Sequence, residues 1–135
     1  MIEQNKLLTA LFERLQNMSL GIHVALPREG YKPDVDETYL DILWLPNETN
    51  EPFVAHNSPT WYQGILQVAI MTPKNASIVD ASTIADEVTA FWNKGTTIPV
   101  DGKKLTIYRQ PWLAPSFKDE NFDRLPLSIP YKIVA

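Results

Sequence analysis

Residues Trp61–Lys74 read WYQGILQVAIMTPK, and their spacing decides the fold. At a period of two, Tyr62, Gly64, Leu66, Val68 and Ile70 share one face, and Trp61, Gln63, Ile65, Gln67, Ala69 and Met71 share the other. The first face is apolar, as a strand lying beneath helices requires. The second carries two glutamines, which hydrogen-bond but do not titrate. The stretch is therefore predicted to be a scaffold strand, with no nucleophile, general base or strong metal ligand of its own. A chain of 135 residues, 44% hydrophobic and 21% charged, gives it one core to serve, in a single domain over residues 1–135.

On the amino-terminal side, Leu7, Leu8, Leu11, Phe12, Leu15 and Met18 recur at helical spacing, and the helix is expected to end near Gly21. Between Leu20 and Thr38, Pro27, Gly30 and Pro33 among scattered charges predict a loop or an irregular strand. Thr38–Pro46, TYLDILWLP, reads as a strand stopped by its proline. The polar segment from Asn47 to Pro59 then joins it to the central strand, and the two are expected to pair antiparallel across it.

On the carboxyl side, Ser77 is placed to cap a second helix, with Asp80 in the first turn. Ala81, Ile84, Ala85, Val88, Phe91 and Trp92 form its buried face, and Gly95 its stop. Asp101-Gly102 between short β-favouring runs predicts a two-residue hairpin. In the closing LPLSIPYKIVA, Leu127, Ile129, Tyr131 and Ile133 alternate with polar residues and Pro130, which predicts an edge strand or a bulge. Helix, two strands, helix, hairpin and last strand make an α+β domain: a mostly antiparallel mixed sheet with two helices packed on it.

The net charge of −4 and pI near 5.1 argue against sequence-specific nucleic-acid binding, whose affinity comes from clustered Lys and Arg. With no cysteine, neither a disulfide frame nor a thiolate zinc site forms. No apolar run approaches about 18 residues, so a soluble chain made in the cytoplasm, with no membrane partner, is expected. His23 and His56 are the only histidines and lie in separate irregular segments. DVDET, Asp34–Thr38, and KDENFD, Lys118–Asp123, lack the spaced oxygens and glycine of a calcium loop and read as solvated acidic loops. No glycine-rich phosphate loop and no serine elbow is present. No catalytic set, metal site or cofactor is expected, and an assembly or binding module is preferred. An enzyme using loop carboxylates and a protein-binding adaptor are the alternatives.

Of four tryptophans, Trp44 and Trp92 fall where periodicity buries them. Trp61 and Trp112 stand beside loops in SPTWY and QPWLAP, where packing in the core and anchoring an interface are both open readings. With Phe117, and with Phe53 and His56 of the long loop, they are the candidate interface residues.

The segments YQGILQVAIMTPK (Tyr62–Lys74), ADEVTAFWNKGTTI (Ala85–Ile98), LTIYRQPWLAP (Leu105–Pro115) and LPLSIPYKIVA (Leu125–Ala135) together resemble the tail-terminator-like proteins of tailed bacteriophages. The resemblance covers roughly the carboxyl-terminal two thirds, in the order and spacing of the four segments. It implies a sheet flanked by helices and a structural role in the virion, reached by assembly in the host cytoplasm. It also implies a ring, typically hexameric, that caps the head-proximal end of the tail tube. The implied partners are further copies of the chain, the tail tube protein, and a head-tail connector or head completion protein. Six chains at −4 would carry roughly −24, so ring closure is expected to meet like-charge repulsion that salt or divalent cations relieve.

Overall fold

The computed structural model describes residues 3–46 and 61–134, with Trp61 described by its backbone alone. The segment expected to be a long loop, including Phe53 and His56, lies outside the described residues. The elements are α1 (Gln4–Gln16), β1 (His23–Ala25), β2 (Tyr39–Pro46), β3 (Trp61–Pro73), α2 (Ile78–Phe91), β4 (Thr97–Val100), β5 (Lys103–Thr106), β6 (Trp112–Leu113), β7 (Phe117–Asp119) and β8 (Phe122–Val134).

The strands make one eight-stranded sheet ordered β1-β2-β3-β8-β5-β4, with β6 and β7 also paired to β8. All ladders are antiparallel except β1 with β2. The opening stretch is the strand its alternation predicts, set between β2 and β8. Its partner β8 runs beside it over thirteen residues, from Trp61 opposite Val134 to Pro73 opposite Phe122. The expected pairing of the Tyr39 strand with β3 is also present, from Tyr39 opposite Met71 to Pro46 opposite Gly64.

Both helices pack on one face. Leu7, Leu11 and Leu15 of α1 and Ala81, Ala85 and Val88 of α2 meet Leu40, Ile42, Leu66, Val68, Ile70, Leu127 and Ile129 of the sheet. The Ser77 hydroxyl accepts from the Val79 amide at 3.1 Å, capping α2 as its sequence position predicts. The helix ends at Phe91, and Gly95, with φ of 93°, turns the chain into β4 while its amide donates to the Ile107 carbonyl at 2.8 Å. Arg14 of α1 reaches across to donate to the Phe91 carbonyl at 2.5 Å, with its guanidinium 4.3 Å from the centre of the Phe91 ring. One side chain thus satisfies an orphan carbonyl at the end of α2 and ties the two helices together. Trp92 is 0% exposed, and its indole donates toward the Met18 sulfur at 3.4 Å. Trp44 is only partly covered; its indole N–H donates to the Tyr131 hydroxyl at 2.8 Å.

Two features depart from expectation. Short strands β6 and β7 form where no strand is expected, because the long strand β8 offers backbone partners that local propensity does not reveal, whereas β1 falls in the segment expected to be a loop or an irregular strand. The strand bearing Pro130 is not an edge but the second strand of the sheet's centre. In an antiparallel strand the N–H and C=O of one residue face the same neighbour. The Pro126 carbonyl accepts from the Ala114 amide at 2.9 Å, so the Pro126 nitrogen, and that of Pro130 four residues on, face the flank away from β3. That flank is where partners are interrupted: β6 reaches Ser128, and β5 pairs with Lys132 and Ile133, leaving Pro130 opposite the gap. Neither proline removes a donor from the β3 ladder, which explains how a central strand tolerates both.

Gly64 is explained by the same ladder. It lies directly opposite Tyr131, whose ring covers it. A Cβ at position 64 would stand 2.5 Å from the Tyr131 hydroxyl oxygen and 2.9 Å from the Leu45 carbonyl oxygen, so glycine alone admits the ring.

Two substitutions test this packing by chemical denaturation. Trp92→Ala should lower stability by about 3–5 kcal/mol through lost burial and a cavity, and an unchanged midpoint would contradict its placement. Gly64→Ala should cost about 1–3 kcal/mol by overpacking, and its cost should shrink in a Tyr131→Leu background that removes the obstructing hydroxyl and ring.

Candidate assembly surface

Alternation that sends one set of side chains toward the helices sends the other to a sheet face that no described helix covers. Asp41, Leu43 and Leu45 of β2, Gln63, Ile65, Gln67, Ala69 and Met71 of β3, and Arg124, Pro126, Ser128, Pro130 and Lys132 of β8 share it, as the ladder registers require.

At one end, this face is closed by the chain that crosses from β1 to β2. A parallel pair cannot be joined by a tight turn, so residues 26–38 must travel the length of the strands, and they fold back over the sheet. An aromatic series holds them there. His23 stacks on Tyr31 at 3.8 Å, Tyr31 meets Tyr39 at 5.4 Å, and Tyr39 meets Phe122 edge-on at 5.5 Å. Ala69, Met71 and Phe122 form a small second core beneath. Glu29 pairs with His23 at 2.6 Å and accepts from the Leu26 amide. Glu37 accepts from the Tyr31 hydroxyl and from the Asp34 amide. These bonds hold both carboxyls below their ordinary range, that to His23 dominating for Glu29 and that to Tyr31 for Glu37.

Arg124, which no sequence motif singles out, is the charged centre of this end. It bonds Asp41 of β2, and its Nε donates to Asp119 of β7 at 3.1 Å, joining the two flanks of the sheet across β8. Burial lowers the affinity of its guanidinium for a proton, and the two carboxylates more than offset that. The Lys118–Asp123 segment is thus not merely a solvated acidic loop. It is a tight β7–β8 hairpin turning at Glu120, with φ of 56°, and one of its carboxylates is engaged. A partly buried arginine between two acidic neighbours is invisible to sequence because Asp41 and Arg124 are 83 positions apart.

The other end is open and apolar. Leu43 and Leu45 are 41% and 43% exposed, and a groove lined by Leu45, Ile65, Tyr108, Arg109, Trp112 and Pro130 runs beside them. Trp112, 38% exposed, sits opposite Ser128 with the Arg109 guanidinium 5.0 Å from its ring centre. Phe117, 52% exposed, sits opposite Arg124. Trp112 and Phe117 therefore line one flank of β8, about 13 Å apart along the strand. The backbone of Trp61 pairs at Val134, about 20 Å along β8 from the level of Trp112. Among the described residues, no three His, Asp or Glu side chains are grouped to hold a metal ion. Nor, among the described residues, is any helix long and apolar enough to cross a membrane.

A sheet covered by helices on one side bears exposed aromatic and leucine side chains on the other, the kind of surface through which proteins meet other proteins. The sequence agrees in specific terms: it matches the model of the phage tail terminator proteins over residues 6–131, and the chain belongs to that family, a structural component of the phage tail. One solved structure that carries no functional name superimposes with a TM-score of 0.77 at 18% identity, covering 98% of this chain and 96% of that one. A chain from the virion of a native gene transfer agent particle superimposes with a TM-score of 0.61 at 10% identity, covering 94% and 93%. No curated protein matches the sequence.

The contact that fastens the crossover is testable by titration. Its hydrogen bond to the Glu37 carboxylate pushes the Tyr31 phenol from the ordinary 10.0 up to about 12. A phenol whose folded value is raised contributes stability that is complete below its unfolded value and is lost as pH rises through the folded one, here between about 10 and 12. With carbon-13 labelled tyrosine, one ring resonance should titrate near 12 and fall toward the ordinary value in Glu37→Gln. A Tyr31 resonance titrating at the ordinary value in the unaltered protein would contradict the bond.

Proposed function

We propose that copies of this chain close into a ring, six-membered as the resemblance implies, at the head-proximal end of the tail tube. The ring halts tube polymerisation and presents the surface that a head-tail connector or head completion protein joins. The observation that carries this reading is the family match over residues 6–131. The open sheet face supports it physically, because exposed Trp112 and Phe117 on one flank are the residue types from which desolvated contacts are built. A ring closed by head-to-tail contacts has no free end of its own, which is how a finite cap differs from a tube that keeps growing. Such contacts do not require Trp61 and Trp112 to touch within one subunit; each belongs to a separate candidate surface.

Trp112→Ser tests the reading. Sedimentation of the variant should show assembly weakened by roughly tenfold or more, the loss typical of truncating a buried aromatic anchor, with an unchanged circular-dichroism spectrum and melting temperature of the monomer. In a second assay, the unaltered protein should stop elongation of its tail tube protein in vitro. A chain that stays monomeric under every salt, magnesium and concentration condition, and that leaves tube elongation untouched, overturns the proposal.

A further inference from the structure

The first turn of α2 carries a feature that the fold of one subunit does not use. Ile78 and Val79 follow the Ser77 cap, and each is more than half exposed, outside the core that holds Ala81, Ala85 and Val88. Helix propensity does not call for them either, since β-branched side chains lose rotamer freedom in a helix. Asp80 stands next to them, exposed and without an ion-pair partner among the described residues. Its carboxylate suits the positive helix end, which accounts for the charge but not for two bare aliphatic neighbours. The turn is thus a small patch of two aliphatic side chains and one carboxylate.

The groove at the open end of the other sheet face is its complement. At about 340 Å³ it falls at the small end of the range for binding sites, with room for a few side chains. Leu45, Ile65 and Pro130 supply aliphatic surface, Tyr108 and Trp112 aromatic surface, and Arg109 is the one charged residue among those that line it. The Arg109 guanidinium, 5.0 Å from the centre of the Trp112 ring, is exposed and has no ion-pair partner among the described residues. Trp, Tyr and Arg are the residue types that most often anchor contacts between proteins. A groove of this make-up takes an aliphatic segment that brings a carboxylate with it.

The two features cannot meet within one subunit. α2 follows Pro73, at one end of the β3–β8 ladder, and packs on the helix-covered face. Gly64, which lines the groove, lies nine residues back along β3, about 30 Å toward the other end, and the groove belongs to the opposite face. We infer that the first turn of α2 in one copy seats Ile78 and Val79 in the groove of the next and brings Asp80 to Arg109. The inference rests on the ring reading and names its joint: two different surfaces of one chain, as a head-to-tail contact needs. Burial of the two aliphatic side chains supplies apolar area, and the carboxylate–guanidinium pair beside Trp112 fixes the orientation.

The experiment uses the full chain. Asp80→Lys and Arg109→Glu each set like charges across the joint, and the double variant restores an attractive pair with its signs exchanged. Circular dichroism and melting confirm that each folds. By sedimentation, each single variant should associate at least about tenfold more weakly than the unaltered chain, and the double variant should recover most of that loss. Because the chain has no cysteine, a second test leaves Asp80 and Arg109 in place. Copies carrying Val79→Cys mixed with copies carrying Leu45→Cys should give a disulfide-linked dimer on mild oxidation, and either alone should give far less. If the unaltered chain associates but the single reversals leave it unaffected, or the mixed cysteine variants link no more than either alone, the joint assigned here is wrong while the ring reading stands. Reversals that weaken association without recovery in the double variant overturn the pairing as well. If the unaltered chain never self-associates, the ring reading itself fails, and the inference with it. Loss of binding to tail tube protein in Arg109→Glu, with self-association intact, would assign the groove to that partner and overturn the inference.

Discussion

The β3–β8 ladder is the constraint on which the rest of this structure depends. Thirteen consecutive residues of each strand face one another, and every other strand attaches to one of these two directly or through a neighbour. The apolar face of the pair, Leu66, Val68 and Ile70 with Leu125, Leu127 and Ile129, is the floor on which both helices sit. A one-residue slip would send that whole set to the opposite face, so the register is fixed by burial. Gly64 beneath Tyr131 adds a steric lock, since the ring fits only opposite a residue without a side chain.

The ladder also determines what is left uncovered. Because alternation is strict, covering one face with α1 and α2 leaves the other to the crossover at one end and to exposed Leu43, Leu45 and Trp112 at the other. The crossover is tethered by an aromatic series and two carboxylates, and Arg124 of β8 fastens β2 and β7 together. A frame with an open apolar end suits a member of a structural phage tail family.

Much of this was legible along the chain. The period of two in Trp61–Lys74, the period of 3.6 around Leu11 and Val88, the Ser77 cap and the Asp101-Gly102 turn each depend on neighbours within a few residues. Phe53 and His56, offered as interface residues, lie outside the described structure. The exposure of Trp112 and Phe117 agrees with their place beside prolines, although exposure is not by itself contact.

What the sequence alone determined, then, is the long elements and the tight hairpin, the buried face of each long one, and the family through the order of four segments. Only the tertiary structure decided the rest, because it depends on which distant segments meet. Pro130 sits in a central strand rather than at an edge, since its missing donor falls opposite a gap between β5 and β6. Arg124 becomes a charged hub because folding brings Asp41, 83 residues away, beside it. Local spacing fixes local geometry; burial, missing donors and ion pairs arise from long-range pairing, which no short window of sequence contains.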